Sequence, residues 1–182
     1  MSELSDEALM ERVQQGDSSV LGLLMRRYER PLYALAWRML GDRAAAEDAF
    51  QETFLRVLRK RGSYRKGATF RPWLYQICLN YCRDELRRRG RRPEAELAED
   101  LPLPDPEPGP AERAQAEAKK QRIREAVETL PDKQREVFLL VHYQGMAYGE
   151  AAEVVGIPPG TVKSRMFYAL RYLAGKLLDL DE

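Results

Sequence analysis

Apolar residues recur along most of the chain at intervals of three and four, the spacing of one face of an α-helix. In the N-terminal half this pattern predicts helices around Leu9 and Val13, over about Ser18 to Leu40, over about Ala44 to Arg61, and from near Pro72 to the arginines at 87–89. In the C-terminal half it predicts helices at about Glu117 to Thr129, Asp132 to Tyr143, Tyr148 to Val155 and Pro159 to Leu178. The alternating β-branched pattern of strands is missing, so we expect an all-α protein.

A proline-rich stretch divides these helical segments into two groups. Six of the eleven prolines fall between Pro93 and Pro110, and each proline ring removes a backbone donor and opposes helix formation. We therefore expect two small helical domains, residues 1–92 and 119–182, joined by a linker over residues 93–118.

Charge follows the same division, although the net charge of the whole chain is only +1. Residues 1–92 hold 19 Lys/Arg and 12 Asp/Glu, a net of +7, whereas residues 93–118 hold 1 and 8, a net of −7. Residues 119–182 hold 10 and 9, a net of +1. The basic N-terminal block is therefore a candidate nucleic-acid surface, and the linker is acidic as well as rich in proline.

Several classes of function are disfavoured by what the chain lacks. No run approaches the roughly 18 consecutive apolar residues that cross a bilayer, and the N-terminus does not resemble a secretion signal, so we expect a cytoplasmic protein without membrane insertion. Cys78, Cys82 and the single His142 cannot build the usual four-ligand zinc site, and the cysteines are predicted to pack in a helix. We find no catalytic constellation and expect no catalytic residues, no metal, no cofactor and no enzymatic activity.

The strongest local motif lies at residues 148–165, where a short helix, a tight glycine turn and a longer helix opened by proline follow one another. This order is typical of a helix-turn-helix. At about 100° per residue, Val162, Met166, Ala169 and Leu173 share one side of the second helix, and Ser164, Phe167, Tyr168 and Arg171 share the other. The alternative is an ordinary amphipathic hairpin with a solvated face, but an aromatic pair on the polar side argues against it.

A second candidate surface lies on the last predicted helix of the first domain. Gln76, Asn80, Arg83 and Arg87 recur on one stripe, opposite the apolar Tyr75, Leu79, Cys82 and Leu86. The loop before this helix, residues 64–70, mixes cations, glycine and aromatic residues, as expected of a surface that holds phosphates and receives unstacked bases. The alternative is a basic helix end that complements the helix dipole, although the five arginines at 87–92 exceed what that requires.

The third predicted helix carries a candidate protein-docking face. Phe50, Phe54, Val57 and Leu58 form its core stripe, and Asp48, Glu52, Leu55 and Arg59 lie on the reverse side. Leu55 is thus expected to be exposed among charges. Single exposed leucines are common on protein surfaces, so docking and a plain solvated face both stay open at this point.

Several stretches, taken in order, resemble one protein family. They are Leu32–Ala36, Gly41–Arg43, Ala46–Phe54, Ser63–Tyr64, Phe70–Tyr75, Asp84–Arg87, Leu130–Pro131, Gln134–Val137 and Gly156–Arg165. In this order and spacing they resemble the sigma factors of bacterial RNA polymerase, specifically the extracytoplasmic-function (ECF) group, which keeps only the second and fourth conserved domains. The resemblance covers nearly the whole chain.

The resemblance implies a promoter-recognition factor for core RNA polymerase, made of sigma domain two, an acidic linker and sigma domain four. The polymerase-docking residues would be Asp48, Gln51, Glu52 and Leu55, on the clamp helices of the largest subunit, and the flap region would be a further polymerase contact. The residues that recognise and help melt the minus-ten element would be Tyr64, Arg65, Lys66, Gln76, Asn80, Arg83, Arg87 and Arg88. The minus-thirty-five element would be read by Thr161, Lys163, Ser164, Arg165, Tyr168 and Arg171. Promoter DNA and an anti-sigma factor are the other partners implied, with stress or an envelope signal as the stimulus.

The sequence departs from the family at the entry of the helix-turn-helix. Ala147 stands where the family usually has Ser or Thr, Ala151 replaces a larger apolar residue, and Gly149 weakens the first turn, so an irregular entry is expected. Two other classes remain. A repressor or activator that acts without polymerase would leave the basic first domain unexplained, and a small DNA recombinase would need a nucleophile on a catalytic domain.

Overall fold

A computed structural model of the chain describes residues 4–90 and 110–178. Across these two ranges it consists of helices and turns without strands, which confirms the predicted all-α class. The helices are α1 (Asp6–Gln14), α2 (Leu21–Leu40), α3 (Arg43–Lys60), α4 (Phe70–Arg89), α5 (Pro110–Glu128), α6 (Asp132–Phe138), α7 (Tyr148–Val155) and α8 (Pro159–Leu178). Short 3-10 turns at Ser18–Val20 and Arg61–Ser63 precede α2 and follow α3, and a π-helical turn at Leu139–Tyr143 extends α6.

The predicted linker differs from the structure at its C-terminal end. Residues 93–109 lie outside the described residues, but residues 110–118 are helical because α5 begins at Pro110 rather than near Glu117. Proline is favoured in the first turn of a helix, and the Ala, Glu, Arg, Gln and Lys residues that follow it favour helix. The last proline of the stretch therefore opens a helix instead of belonging to an extended linker.

Helices α1 to α4 form a first bundle, whose helix ends are set by local caps. The Ser5 hydroxyl accepts a hydrogen bond from the Ala8 backbone N–H at 3.2 Å, and the Asp42 carboxylate accepts one from Ala45 at 2.8 Å. Each cap satisfies a donor that the first turn of α1 or α3 leaves without a partner. Gly41 ends α2 with φ of 70°, a left-handed conformation that suits glycine and lets α3 fold back against α2.

Helix α4 lies at the centre of the molecule. It packs against α2 and α3 within the first bundle and against α7 of the second. Leu74, Cys78, Leu79 and Cys82 on its apolar side are fully buried, so the predicted packing role of the two cysteines is confirmed. Since α4 carries one candidate DNA stripe, this central position determines which of its side chains remain accessible.

Helices α5 to α8 form a second bundle, in which α8 packs against α5, α6 and α7. The turn between α7 and α8 is made by Gly156, whose φ of 78° is left-handed and whose N–H donates to the Ala152 carbonyl at 2.8 Å. The bounds of α7 and α8 agree with the predicted helix-turn-helix. None of the described helices combines the length and apolar character needed to span a bilayer.

Candidate nucleic-acid and polymerase interfaces

The outer face of α8 has the arrangement that its sequence predicts. Val162, Met166, Ala169 and Leu173 are buried against the rest of the second bundle. Lys163, Ser164, Tyr168 and Arg171 are exposed, whereas Thr161 and Arg165 are half-buried. The exposed side therefore combines two cations, a hydroxyl and an aromatic ring on one helix.

Two adjacent aromatic rings stand out on this face of α8. Phe167 and Tyr168 are 58% and 56% exposed, and their rings meet edge to face with centroids 5.4 Å apart. Large apolar side chains are seldom left in solvent side by side unless a partner covers them. The Ser164 hydroxyl on the same face donates to the Gly160 carbonyl at 3.1 Å, a bond within the helix.

The irregular entry expected for α7 is absent from the structure. Ala147 makes no side-chain cap, because an alanine side chain has no hydrogen-bond acceptor. Its φ of −64° and ψ of 155° are nevertheless those of a normal N-cap residue. The helix runs without interruption through Gly149 to Val155, because Ala151, Ala152 and Val154 are buried and hold it against the bundle. Tertiary packing thus compensates for a weak local sequence.

The polar stripe of α4 is confirmed as one side of the helix, but it is not uniformly open. Asn80 and Arg87 are exposed, whereas Gln76 and Arg83 are half-buried. Arg87 donates to Asp84 at 2.8 Å, and Arg83 donates to Asn80 at 3.3 Å. The stripe thus presents two accessible and two partly covered hydrogen-bonding side chains.

At the C-terminal end of α4 a single carboxylate organises two arginines. Glu85 accepts hydrogen bonds from Arg88 at 2.7 and 3.0 Å and from Arg89 at 2.6 Å. These bonds, first of all the one from Arg88, hold the pKa of Glu85 below its ordinary value. The Arg88 side chain stays 75% exposed, so its guanidinium can still reach a phosphate.

The loop before α4 requires a correction. Tyr64, predicted to contact minus-ten DNA, is only 3% exposed, and its hydroxyl donates to the Ala68 carbonyl. Its ring packs against Phe70 and Trp73, with centroids 6.0 and 5.1 Å away. Burial, the largest cause, raises its pKa to about 12. Tyr64 is a core residue because its ring completes an aromatic cluster, and it cannot stack on a base without leaving that cluster.

The remaining loop residues keep the predicted exposure. Arg65 and Lys66 are exposed, and Gly67 follows them with a left-handed φ of 81°. Gln14 of α1 fixes the base of the loop, since its amide donates to the carbonyls of Arg61 and Tyr64 at 2.8 and 2.7 Å. Two cations are thus held at the tip of an anchored turn.

The predicted docking face of α3 is exposed in the way its periodicity indicates. Asp48 and Gln51 are exposed, and Leu55 is 47% exposed, on the side opposite the buried Phe54 and Val57. The other two members of the predicted core stripe, Phe50 and Leu58, are only half-buried.

Glu52, on the same face, is not a free carboxylate. It accepts hydrogen bonds from Arg56 at 3.1 Å and from Arg59 at 3.0 Å. These bonds, the Arg56 bond first, lower its pKa. The face therefore offers an apolar side chain beside a carboxylate held in place by two arginines.

The two bundles are joined by polar contacts that the sequence does not predict. Arg83 of α4 donates from Nε and Nη2 to the two carboxylate oxygens of Glu136 of α6, at 2.8 and 2.7 Å. Gln76 donates to the Glu153 carbonyl of α7 at 3.5 Å. Two members of the predicted minus-ten stripe are thus bound to the second bundle, which explains their partial burial.

A second group of interbundle contacts lies at the N-terminal end of α4. Arg71 bonds to both carboxylate oxygens of Glu150 at 3.3 and 3.4 Å and also to the Gln144 carbonyl. The Tyr75 hydroxyl donates to the Gln144 side chain at 2.7 Å, and the Gln144 amide donates to the Pro31 carbonyl at 3.3 Å. Nothing in the periodicity of either segment signals these pairs, because the partners lie 69 to 113 residues apart.

Between the bundles lies a cleft of about 360 Å³. Its cations are Arg83, Arg87, Lys133, Arg135 and Arg165, and its carboxylates are Asp132 and Glu136. Arg165, predicted to contact DNA from the helix-turn-helix, therefore lines the same cleft as two arginines of the α4 stripe.

Two family models match this chain in the same order as its bundles. The model described as sigma-70 region 2 matches residues 24–92, and the model described as sigma-70, region 4 matches residues 120–173. The chain is 33% identical over 177 residues to the RNA polymerase sigma-H factor of Pseudomonas aeruginosa, covering 93% of this chain and 92% of that protein. It is also 33% identical over 186 residues to the ECF RNA polymerase sigma-E factor of Haemophilus influenzae, covering 98% of each.

Solved structures agree with these sequence matches. CnrH, in complex with the cytosolic domain of CnrY, superposes with a TM-score of 0.73 at 26% identity over 97% of this chain and 99% of that one. The sigma factor RpoE, in complex with the anti-sigma factor NepR from Bartonella quintana, superposes with a TM-score of 0.62 at 27% identity over 86% of this chain and 93% of that one. The chain belongs to the sigma-70 family, within its ECF group of RNA polymerase sigma factors.

Proposed function

We propose that this ECF sigma factor, which directs core RNA polymerase to promoters, uses three separate surfaces to do so. The exposed face of α8 reads the minus-thirty-five element, the open part of the α4 stripe with its preceding loop contacts the minus-ten element, and the reverse side of α3 docks on polymerase. The observation that carries the proposal is the aromatic and cationic face of α8, presented directly after a tight glycine turn. The chain acts by binding, as an initiation factor.

The proposal for α8 rests on which of its side chains can reach a groove. In a helix-turn-helix the second helix enters the major groove and reads base edges with residues on its outer face. Arg171 and Tyr168 are exposed at the centre of that face, so we assign them to bases. Lys163 is exposed nearer the helix N-terminus, and we assign it to the phosphate backbone.

The proposal for α4 is narrower than the sequence alone suggests. Arg65, Lys66, Asn80, Arg87 and Arg88 are exposed and can meet DNA without rearrangement of the protein. Cations and amides on one surface suit single-stranded DNA, whose phosphates and unstacked bases are both accessible. Tyr64 is left out of this surface because it belongs to the core.

The docking proposal rests on Leu55 and its charged surroundings. A half-exposed leucine beside Glu52, with Asp48 and Gln51 on the same face, combines an apolar anchor with an acidic rim. Apolar anchors inside polar rims are the usual arrangement of protein interfaces. We assign this face to the clamp helices of the largest polymerase subunit.

We also propose that an anti-sigma factor restrains this chain. The RpoE structure to which it is similar is a complex with such a factor. Release in response to stress or an envelope signal would then free the chain to join polymerase in the cytoplasm.

Reconstituted transcription tests the proposal. Core polymerase free of other sigma factors is supplied with the full chain and with a library of promoters randomised upstream of the start site. We expect initiation only when the chain is present, and selected promoters that share two conserved blocks, one for each bundle. Initiation equal to that of core polymerase alone would refute the proposal, and tight specific binding by the free chain would favour a polymerase-independent repressor.

A further inference from the structure

Helix α1 holds the backbone of the loop before α4. Gln14, the last residue of α1, donates from its side-chain amide to the Arg61 carbonyl at 2.8 Å and to the Tyr64 carbonyl at 2.7 Å. A glutamine amide carries two N–H donors, so one is available for each carbonyl. The two acceptors lie 47 and 50 residues further along the chain, and a single side chain therefore joins α1 to the start of the loop.

One of the two peptides that Gln14 holds is the peptide that leads into Arg65. Because a peptide unit is planar, fixing the direction of the Tyr64 carbonyl also fixes the direction of the Arg65 N–H. On the other side of Arg65, its own carbonyl accepts a hydrogen bond from the Ala68 N–H at 3.0 Å. The backbone of Arg65 is thus held on both sides of its Cα atom, while its side chain stays exposed.

Further bonds fix the two ends of this loop. At its start the Tyr64 N–H donates to the Arg61 carbonyl at 3.2 Å, and the ring of Tyr64 is buried. At its end the Phe70 N–H donates to the carboxylate of Glu7 at 3.0 Å. Gln14 and Glu7 both belong to α1, so one helix anchors the loop at its start and at its end. The two cations between these anchors remain exposed.

The order of this loop matters for binding, because a loop that is already fixed loses less conformational entropy when it meets a ligand. Gln14 is half-buried and bonds to backbone atoms, whereas the exposed Arg65 and Lys66 are the groups that can reach a phosphate or a base. Loss of the Gln14 bonds would free the Tyr64–Arg65 peptide to rotate. The two cations would then be spread over several positions instead of one.

We propose that Gln14 is a positioning residue for minus-ten recognition, which orients the peptide before Arg65 and thereby places Arg65 and Lys66 against the promoter strand. The proposal rests on the assignment of this loop to the minus-ten element. It adds that α1, which carries none of the predicted DNA-contacting residues, determines how sharply that element is discriminated.

The experiment compares two neighbouring glutamines in reconstituted transcription with the full chain and core polymerase. Gln14→Met keeps the length of the side chain and removes both donors, and Gln15→Met makes the same change at the next position, which is exposed. The templates are a promoter selected from the random library and its single-base variants in the downstream and upstream blocks. Circular dichroism and gel filtration with core polymerase verify that each variant keeps its helices and assembles.

We expect Gln14→Met to reduce the ratio of transcription between the selected promoter and its downstream variants by roughly fivefold, the factor that follows from loss of about one net hydrogen bond. The ratios for the upstream block should stay unchanged, and Gln15→Met should keep all ratios within about twofold. Gln14→Lys should retain the downstream ratios, because its ammonium again offers N–H donors to both carbonyls. Its added charge would raise transcription from all templates evenly.

An even loss of transcription from all templates by Gln14→Met would overturn the proposal, because the bonds would then serve stability alone. Equal loss of the downstream ratios in Gln14→Met and Gln14→Lys would also overturn it, since the donors would not matter. The double variant Arg65→Ala/Lys66→Ala separates this failure from failure of the minus-ten assignment. If it changes the downstream ratios while Gln14→Met does not, the positioning role alone is refuted. If it leaves them unchanged, the loop does not read the minus-ten element and both are refuted.

Discussion

Glu7 of α1 accepts a hydrogen bond from the backbone N–H of Phe70, the first residue of α4, at 3.0 Å. Thr69, which immediately precedes α4, makes no side-chain bond to the first turn. A carboxylate that comes 63 residues earlier thus acts as the N-cap, and its charge also suits the positive end of the helix dipole. The contact ties α1 to the loop that carries Arg65 and Lys66.

Removing this long-range cap should weaken the first bundle. We expect Glu7→Ala to lower the free energy of unfolding by about 1 kcal/mol, the usual value for loss of an N-cap. Urea unfolding followed by circular dichroism measures the change. Glu29→Ala, on an exposed position of α2, serves as the control and should have little effect. Equal stabilities for the two variants would mean that the Glu7 bond contributes nothing.

Adding a missing N-cap at the start of α7 should stabilise the protein. Ala147 has the backbone angles of an N-cap but no side-chain acceptor, so Ala147→Ser should raise stability by about 1 kcal/mol. Thermal unfolding measures the gain. Ala174→Ser, at an exposed interior position of α8, provides the comparison and should bring no gain. If Ala147→Ser does not raise the melting temperature, the hydroxyl does not form the expected cap.

The docking face of α3 is tested with one exposed leucine. Leu55→Asp should reduce assembly with core polymerase and leave stability within about 0.5 kcal/mol, because the side chain faces solvent. Leu23→Asp, on α2 at a similar exposure of 40%, should assemble normally. Gel filtration of mixtures with core polymerase measures assembly. Normal assembly of a stable Leu55→Asp protein would show that this face does not dock.

The face of α8 gives a prediction about base reading. Arg171→Ala should relax preference at one base position of the upstream element, with a loss of about 1–3 kcal/mol for the preferred base. Lys163→Ala should instead weaken binding to all promoter variants evenly. It should also lower by about one the slope of the logarithm of the binding constant against the logarithm of the salt concentration. Transcription from a panel of upstream-element variants distinguishes the two patterns. An even loss in both variants would reject the assignment of Arg171 to bases.

The dependence of stability on pH should reveal the contribution of Glu85, whose carboxylate binds Arg88 and Arg89. The pKa of Glu85 is below its ordinary value of 4.5 in the folded chain, so its contribution to stability is present above that value and is lost as the pH falls through the lowered pKa. Glu85→Gln should therefore be less stable than the wild type at pH 7, and the difference should shrink below about pH 4.5. Urea unfolding at several pH values measures it, and a difference independent of pH would contradict this role.

Helix bounds and helix faces could be predicted from the sequence because they depend on neighbours three and four residues away. The buried side of α8, with Val162 and Met166, and the exposure of Leu55 follow directly from that spacing. The start of α5 differs from the prediction because the proline-rich pattern assigns Pro110 to the linker, whereas proline also opens helices.

Long-range packing decided the features that the sequence did not reveal. An aromatic residue in a basic loop suggests base stacking, but Tyr64 is buried because Phe70 and Trp73 lie next to it in the fold. The pairing of Arg83 with Glu136 spans 53 residues, and no periodic signal in either helix indicates it. Both cases involve side chains whose partners are set by how helices assemble, not by the helices themselves.

Photocrosslinking within the polymerase–promoter complex tests most directly whether α4 and α8 contact two separate promoter elements. A benzophenone amino acid replaces the exposed Asn80 of α4 in one variant and the exposed Tyr168 of α8 in another. The crosslinked nucleotides are then mapped on a promoter selected from the random library. We expect Asn80 to mark the segment next to the start site and Tyr168 a separate upstream segment. Crosslinks from both positions to the same segment, or from neither to DNA, would contradict the account.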